Sequence, residues 1–170
     1  MALTQVASGL IASVSASTLT GTQTIPRGTL PTGSVLQVVN YQYSPWTTTT
    51  STSFVATSLA TSITPTSTSN KVLVSVTIAS AYTASSVSAV RLRLYKNGSF
   101  LAYLDDDLLF GLGGGSAGGA YTCLDSPATT SSTTYTVWFA SASGATVGIN
   151  NYYSSNNTSS SSINLMEIAA

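Results

Sequence analysis

From Ser34 onward, apolar residues recur at every second position, the period of strands with one buried face. In VLQVVNYQY, Leu36 and Val38 share one face, and Val35, Gln37, Val39 and Tyr41 share the other. KVLVSVTIA sets Val72, Val74, Val76 and Ile78 against Leu73, Ser75, Thr77 and Ala79. VRLRLY sends Val90, Leu92 and Leu94 inward and Arg91, Arg93 and Tyr95 outward. The Asn97-Gly98 pair that follows is the signature of a type I′ hairpin turn, so Val90–Tyr95 should pair with Phe100–Leu104. TYTVWFA alternates Tyr135, Val137 and Phe139 against Thr136, Trp138 and Ala140, and ATVGIN places Ala145, Val147 and Ile149 on one face. SINLMEIA is a further strand. Ser/Thr runs separate these segments, and none shows a helical period. The pattern predicts an all-β, antiparallel jelly-roll sandwich.

Residues 1–34 break this rhythm. They carry one charge, Arg27, and a run in which Pro26, Gly28, Pro31 and Gly33 follow closely. Such spacing forbids a regular helix and disfavours a central strand. Residues 1–34 therefore read as an extended N-terminal arm and connector, and 35–170 as the jelly-roll head. The arm suits attachment to other proteins or subunits.

Charge narrows the function. Only 6% of residues are charged, with five basic and five acidic side chains, against roughly 25% in ordinary domains. Ser and Thr occupy about a third of the positions instead. Five scattered Lys and Arg cannot build the stripe that nucleic-acid binding requires. No basic amphipathic helix is present for a lipid surface, and the first twenty residues read as neither a signal peptide nor a transmembrane helix.

Catalytic chemistry finds little to use. The chain has no histidine and one cysteine, Cys123, which excludes histidine-based triads, His-containing zinc sites and thiolate metal cages. No catalytic, cofactor-binding or metal residues are assigned, and an enzyme is not expected. Asp105, Asp106 and Asp107 are consecutive and read as a solvated loop at a strand end, since a shared calcium would need further oxygen ligands. GLGGGSAGG lacks the Lys-Ser/Thr of a phosphate loop and reads as a flexible loop or a close approach of backbones. Trp46, Tyr152 and Tyr153 sit among Asn and Ser, a setting that suits sugar stacking or protein recognition. Packing over the ends of the sandwich or across a subunit boundary is the competing reading of the same three residues.

The segment LMEIAA, Leu165–Ala170, carries the only glutamate. Ile163 and Leu165 share a face with Glu167, and Met166 and Ile168 take the other. Two apolar faces on one strand suit a core on one side and a neighbouring subunit on the other. Leu165, Met166 and Ile168 are accordingly candidates for the interface of a closed homo-oligomer, a homotrimer first.

The opening MALTQVASGLIASVSASTLTGTQTIPRGTLPTGSVLQVV resembles small tail-fibre-like virion proteins of aquatic, cyanophage-like tailed bacteriophages. So do TSITPTSTSNKVLV, RLRLYKNGS, CLDSPATTSSTTYTVWFAS and INLMEIAA. From about residue 40 the chain also resembles the trimeric jelly roll of the complement and tumour-necrosis-factor superfamily, where a strand like KVLVSVTIA precedes RLYKNG. It lacks the aromatic-rich final strand of the cellular members. The resemblance implies a structural protein on the exterior of a phage particle, with residues 1–34 bound to other virion proteins. A trimeric projection that adheres to a host-surface glycan or protein is the first expectation. A capsid decoration, or cement, protein is the second. Neither implies a cofactor, nucleic-acid binding or membrane insertion.

Overall fold

The computed structural model describes residues 30–109, 115–150 and 159–170. Among them every regular element is a strand: β1 (Val35–Tyr43), β2 (Thr47–Thr49), β3 (Val55–Ile63), β4 (Lys71–Thr83), β5 (Val90–Lys96), β6 (Ser99–Leu108), β7 (Ser116–Asp125), β8 (Thr133–Ser141), β9 (Val147–Ile149) and β10 (Ser161–Ile168). The described residues are therefore all-β, as the alternating pattern predicts. Pro31–Ala170 forms the compact unit. Its entry is tied by Gly33 N–H to Ala169 O at 2.8 Å and by Ala169 N–H to Ser34 O at 2.9 Å. Residues 31–34, assigned to the connector from sequence, thus lie inside the sandwich unit.

The two sheets follow the jelly-roll winding. In sheet A, β4 pairs with β7 along one edge and with both β10 and β9 along the other, and β1 and β2 flank β10 and β9. β1 with β2, and β9 with β10, therefore act as two interrupted strands. Sheet B has the order β3-β8-β5-β6. With the interrupted strands counted once each, the first and last strands lie side by side in sheet A, and the second and penultimate do so in sheet B. That is the two-Greek-key arrangement of a jelly roll.

Alternation fills the core as expected. Val72, Val74, Val76 and Ile78 from β4 meet Leu92, Leu94, Tyr135, Val137 and Phe139 from sheet B, all buried. Asn97 and Gly98 both have positive φ, at 48° and 80°. They close the β5–β6 hairpin with Lys96 opposite Ser99 and Tyr95 opposite Phe100. β1 keeps the predicted faces beyond a bulge between Val35 and Gln37.

Four segments depart from the sequence reading. β3 and β7 carry no clear apolar alternation, because Thr57 occupies a buried position of β3 and glycines occupy β7. The Thr57 hydroxyl is reconciled with burial by donating to Val137 O at 2.6 Å. Thr47–Thr49, within a threonine run read as a linker, is strand β2. Asp105–Asp107 belong to β6 rather than to a loop. The second half of GLGGGSAGG is strand, and Gly118 is a close backbone approach: a Cβ there would stand 2.7 Å from Ile78 O.

Candidate functional site

Three regions of the unit carry chemistry: a buried acidic end, and the two outer faces of the sandwich.

At one end, the inward-facing row Gln37–Glu167–Val72–Asp125 crosses β1, β10, β4 and β7 of sheet A. Glu167 is fully buried, and no cation pairs with it among the described residues. Its Oε1 accepts from Thr66 N–H at 2.6 Å, Thr66 Oγ1 at 2.8 Å and Asn70 Nδ2 at 2.6 Å, and its Oε2 accepts from Gln37 Nε2 at 2.6 Å. Burial pushes the carboxyl towards protonation, but the hydrogen bonds from Asn70, Thr66 and Gln37 outweigh it and hold its pKa below the ordinary value. Asn70 Oδ1 also accepts from Ala170 N–H at 3.2 Å. The last strand is therefore fixed to the β3–β4 connection through its one acidic side chain.

Asp125 sits two strands away in the same row. Lys96 Nζ donates to both of its oxygens, at 3.0 and 2.9 Å, and Tyr135 Oη donates to Oδ2 at 2.7 Å. Lys96 and Tyr135 belong to sheet B, so this cluster clasps the two sheets. Burial first and Asp125 second keep the Tyr135 hydroxyl protonated. Burial, reinforced by the Asp125 charge and opposed by Lys96, also pushes up the Cys123 thiol. Glu167 thus accepts four hydrogen bonds and Asp125 three, all from within the unit. Among the described residues no group of three metal-ligating side chains converges.

The outer face of sheet A is aliphatic. Val38, Met166, Leu73 and Leu124 stand opposite one another across β1, β10, β4 and β7. Val38 and Leu124 are 58% and 55% exposed. The next row, Asn40–Asn164–Ser75–Thr122, is polar and uncharged, with Asn40 Nδ2 donating to Asn164 Oδ1 at 2.6 Å.

Of the interface candidates, Met166 and Ile168 lie on this face, partly exposed. Leu165 does not. It is 0% exposed, packed in the core opposite Val39 and Val74, and has no surface to offer a partner. The alternation of the strand allowed only one of its two faces to be an interface. Val38, Leu73 and Leu124 complete that face and were not singled out from sequence, because the row exists only once the register of four strands is set.

The outer face of sheet B is aromatic. Two adjacent rows cross it: Ala56–Trp138–Arg93–Tyr103 and Ala60–Thr136–Tyr95–Phe100. Tyr95 stacks on Trp138 with centroids 4.3 Å apart and 17° between planes, and meets Phe100 edge-on at 6.1 Å. Phe100 meets Tyr103 at 4.9 Å. The Arg93 guanidinium lies 3.9 Å from the Phe54 centroid and 4.7 Å from that of Tyr103. The Asn97-Gly98 turn already sets Tyr95 opposite Phe100, so part of this cluster had a signal in the sequence.

Of the residues proposed for receptor contact, Trp46 is 56% exposed at the β1–β2 bend, its indole against Gly148, where a Cβ would stand 3.1 Å from Nε1. Tyr152 and Tyr153 lie outside the described residues. The structure thus places Trp46 on an edge of the sandwich, away from the aromatic rows of sheet B.

The architecture defines a jelly-roll protein whose outer faces, rather than its interior, offer unsatisfied chemistry. No protein-family model matches the chain. No curated protein matches it either.

Proposed function

We propose that this chain is a bacteriophage virion structural protein, a homotrimeric, tail-fibre-like projection on the particle exterior that adheres to the host surface. Residues 1–34 dock on other virion proteins, and the jelly-roll head faces the medium. The observation that carries the reading is the aliphatic row Val38–Met166–Leu73–Leu124. It crosses β1, β10, β4 and β7, contains no charge, and is bordered on one side by the neutral row Asn40–Asn164–Ser75–Thr122 and on the other by Ile168 opposite Lys71. Contiguous apolar surface of this kind marks an association site. The tail-fibre-like motifs of the sequence supply the virion context.

Two measurements test it. Sedimentation at micromolar concentration should give three times the 17.4 kDa chain mass, and Met166→Arg should return the protein to the monomer. A monomeric wild-type chain overturns the assembly. Immunogold labelling of intact particles with an antibody against residues 40–170 should place gold on tail appendages. Gold distributed over the head replaces adhesion with capsid decoration, and unlabelled particles remove the virion assignment.

A further inference from the structure

We propose that the aromatic outer face of sheet B is a binding site for a neutral glycan, with Arg93, Asp106, Phe100 and Tyr103 as its contact residues. The ligand class rests on the adhesion reading above, but the site stands on its own geometry.

The two outer faces differ in kind. Sheet A presents aliphatic side chains, which pack without orientation. Sheet B presents rings, and its most exposed ones, Tyr103 at 63% and Phe100 at 47%, meet at 67° on the outermost strand. Aromatic faces attract the C–H face of a pyranose, and a tyrosine adds a polar tip. Stacking alone does not orient a sugar. Orientation needs donors and acceptors for its hydroxyls, and this face holds one of each side by side.

Arg93 Nη2 stands 3.9 Å from Asp106 Oδ1, beyond hydrogen-bond reach. Arg93 Nε is buried without a hydrogen-bond partner among the described residues. The guanidinium is instead held by the faces of Phe54, Tyr103 and, at 5.5 Å, Phe100. A cation fixed by rings rather than by hydrogen bonds keeps its outward N–H groups unused and has already lost its rotamer freedom. Asp106 is about half exposed and acts only as an acceptor. Two neighbouring hydroxyls of one sugar ring would lie across this pair from the solvent side, one accepting from Arg93 and one donating to Asp106. The adjacent carboxylate also disfavours an anionic ligand on the same guanidinium.

The edge of the sheet offers less to a peptide strand. β6 departs from regular register three times against β5 and carries Asp105–Asp107, features that discourage strand addition. The face, rather than the edge, is the place of contact.

The test uses the full chain carrying Trp46→Phe, which leaves Trp138 as the single tryptophan and makes emission report on sheet B. The probes are neutral gluco-, galacto-, manno- and xylo-oligosaccharides, with polygalacturonate as the charged comparison. At least one neutral oligosaccharide should change Trp138 emission, with an affinity that does not move between low and physiological salt. Tyr103→Ala and Arg93→Gln should each weaken it about tenfold, with sedimentation unchanged. Three results overturn the inference: no response to any neutral probe, a salt-dependent response to polygalacturonate alone, or full binding retained in Tyr103→Ala. None of these affects the location of gold on the particle. Conversely, unlabelled particles would leave a measured sugar affinity intact.

Discussion

Replacing Glu167 by glutamine isolates what a buried, unpaired carboxylate contributes to this fold. The glutamine carbonyl can take the place of Oε1 and keep its three donors, Thr66 N–H, Thr66 Oγ1 and Asn70 Nδ2. Its amide then faces Gln37 Nε2, donor against donor. Rotating the Gln37 amide relieves that contact but removes the donor that Thr64 O receives at 2.8 Å. One hydrogen bond is lost either way, and the others lose the assistance of the charge. Hydrogen bonds to charged groups contribute about 1.5–3 kcal/mol and neutral ones about 1 kcal/mol. Removing a buried charge recovers part of this, so Glu167→Gln should cost about 2 kcal/mol near neutral pH.

The pH dependence is the sharper observable. The folded pKa of Glu167 is lowered from the model-compound value of 4.5. Its contribution is therefore fully present above that value and is lost as pH falls through it towards the folded pKa. In urea denaturation at fixed protein concentration, the difference between wild type and Glu167→Gln should be largest near neutrality and shrink below about pH 4. A glutamine variant as stable as wild type at neutral pH, or a penalty independent of pH, refutes the reasoning.

The sheet-to-sheet clasp predicts a graded series. Tyr135→Phe removes one hydrogen bond to Asp125 and should cost about 1–2 kcal/mol, whereas Asp125→Ala strands Lys96 and Tyr135 and should cost about 3 kcal/mol, both read from urea midpoints. At the hairpin, Asn97→Ala places an alanine at φ 48° and removes the acceptor that Thr134 N–H reaches at 2.8 Å. It should cost about 1–2 kcal/mol, and Asn97→Gly should recover part of that loss. Cys123, its thiol pushed up by burial and by Asp125, should alkylate slowly with iodoacetamide at pH 8 and at the rate of free cysteine once unfolded.

Legibility followed the period. β4, β5, β8 and β10 read directly from the sequence because most of their inward positions are Val, Leu, Ile, Tyr and Phe at every second residue. β3 and β7 did not, because Thr57 and the glycines of β7 carry no apolar signal. A buried threonine looks like a loop residue until Val137 O is found to accept its hydroxyl. Glu167 lay visibly on the face of Ile163 and Leu165, yet its partners come from residues 97 to 130 positions away. No local pattern encodes them. The same holds for the outer faces. Arg93 and Tyr95 were legible as outward, but the ring cluster needs Phe54, Trp138 and Tyr103 brought alongside by three separate pairings.

The sparse charge takes on a different meaning once the side chains are located. Glu167 is buried, Asp125 and Lys96 neutralise each other, Asp105 accepts from Tyr121 Oη at 3.2 Å, and Arg93 lies among rings beside Asp106. Six of the ten charged residues in the chain therefore lie in or beside contacts within the unit, which leaves few charges, Lys71 and Asp107 among them, on the described solvent-facing surface. An association through Val38, Met166, Leu73 and Leu124 would be apolar at its centre, with Lys71 at its border, and would draw little of its strength from charge pairs. Its equilibrium should accordingly be flat in ionic strength and respond to apolar substitution alone. Sedimentation across a salt series decides this. An oligomer that dissociates as salt rises would place the contact on charged residues and away from the outer face of sheet A.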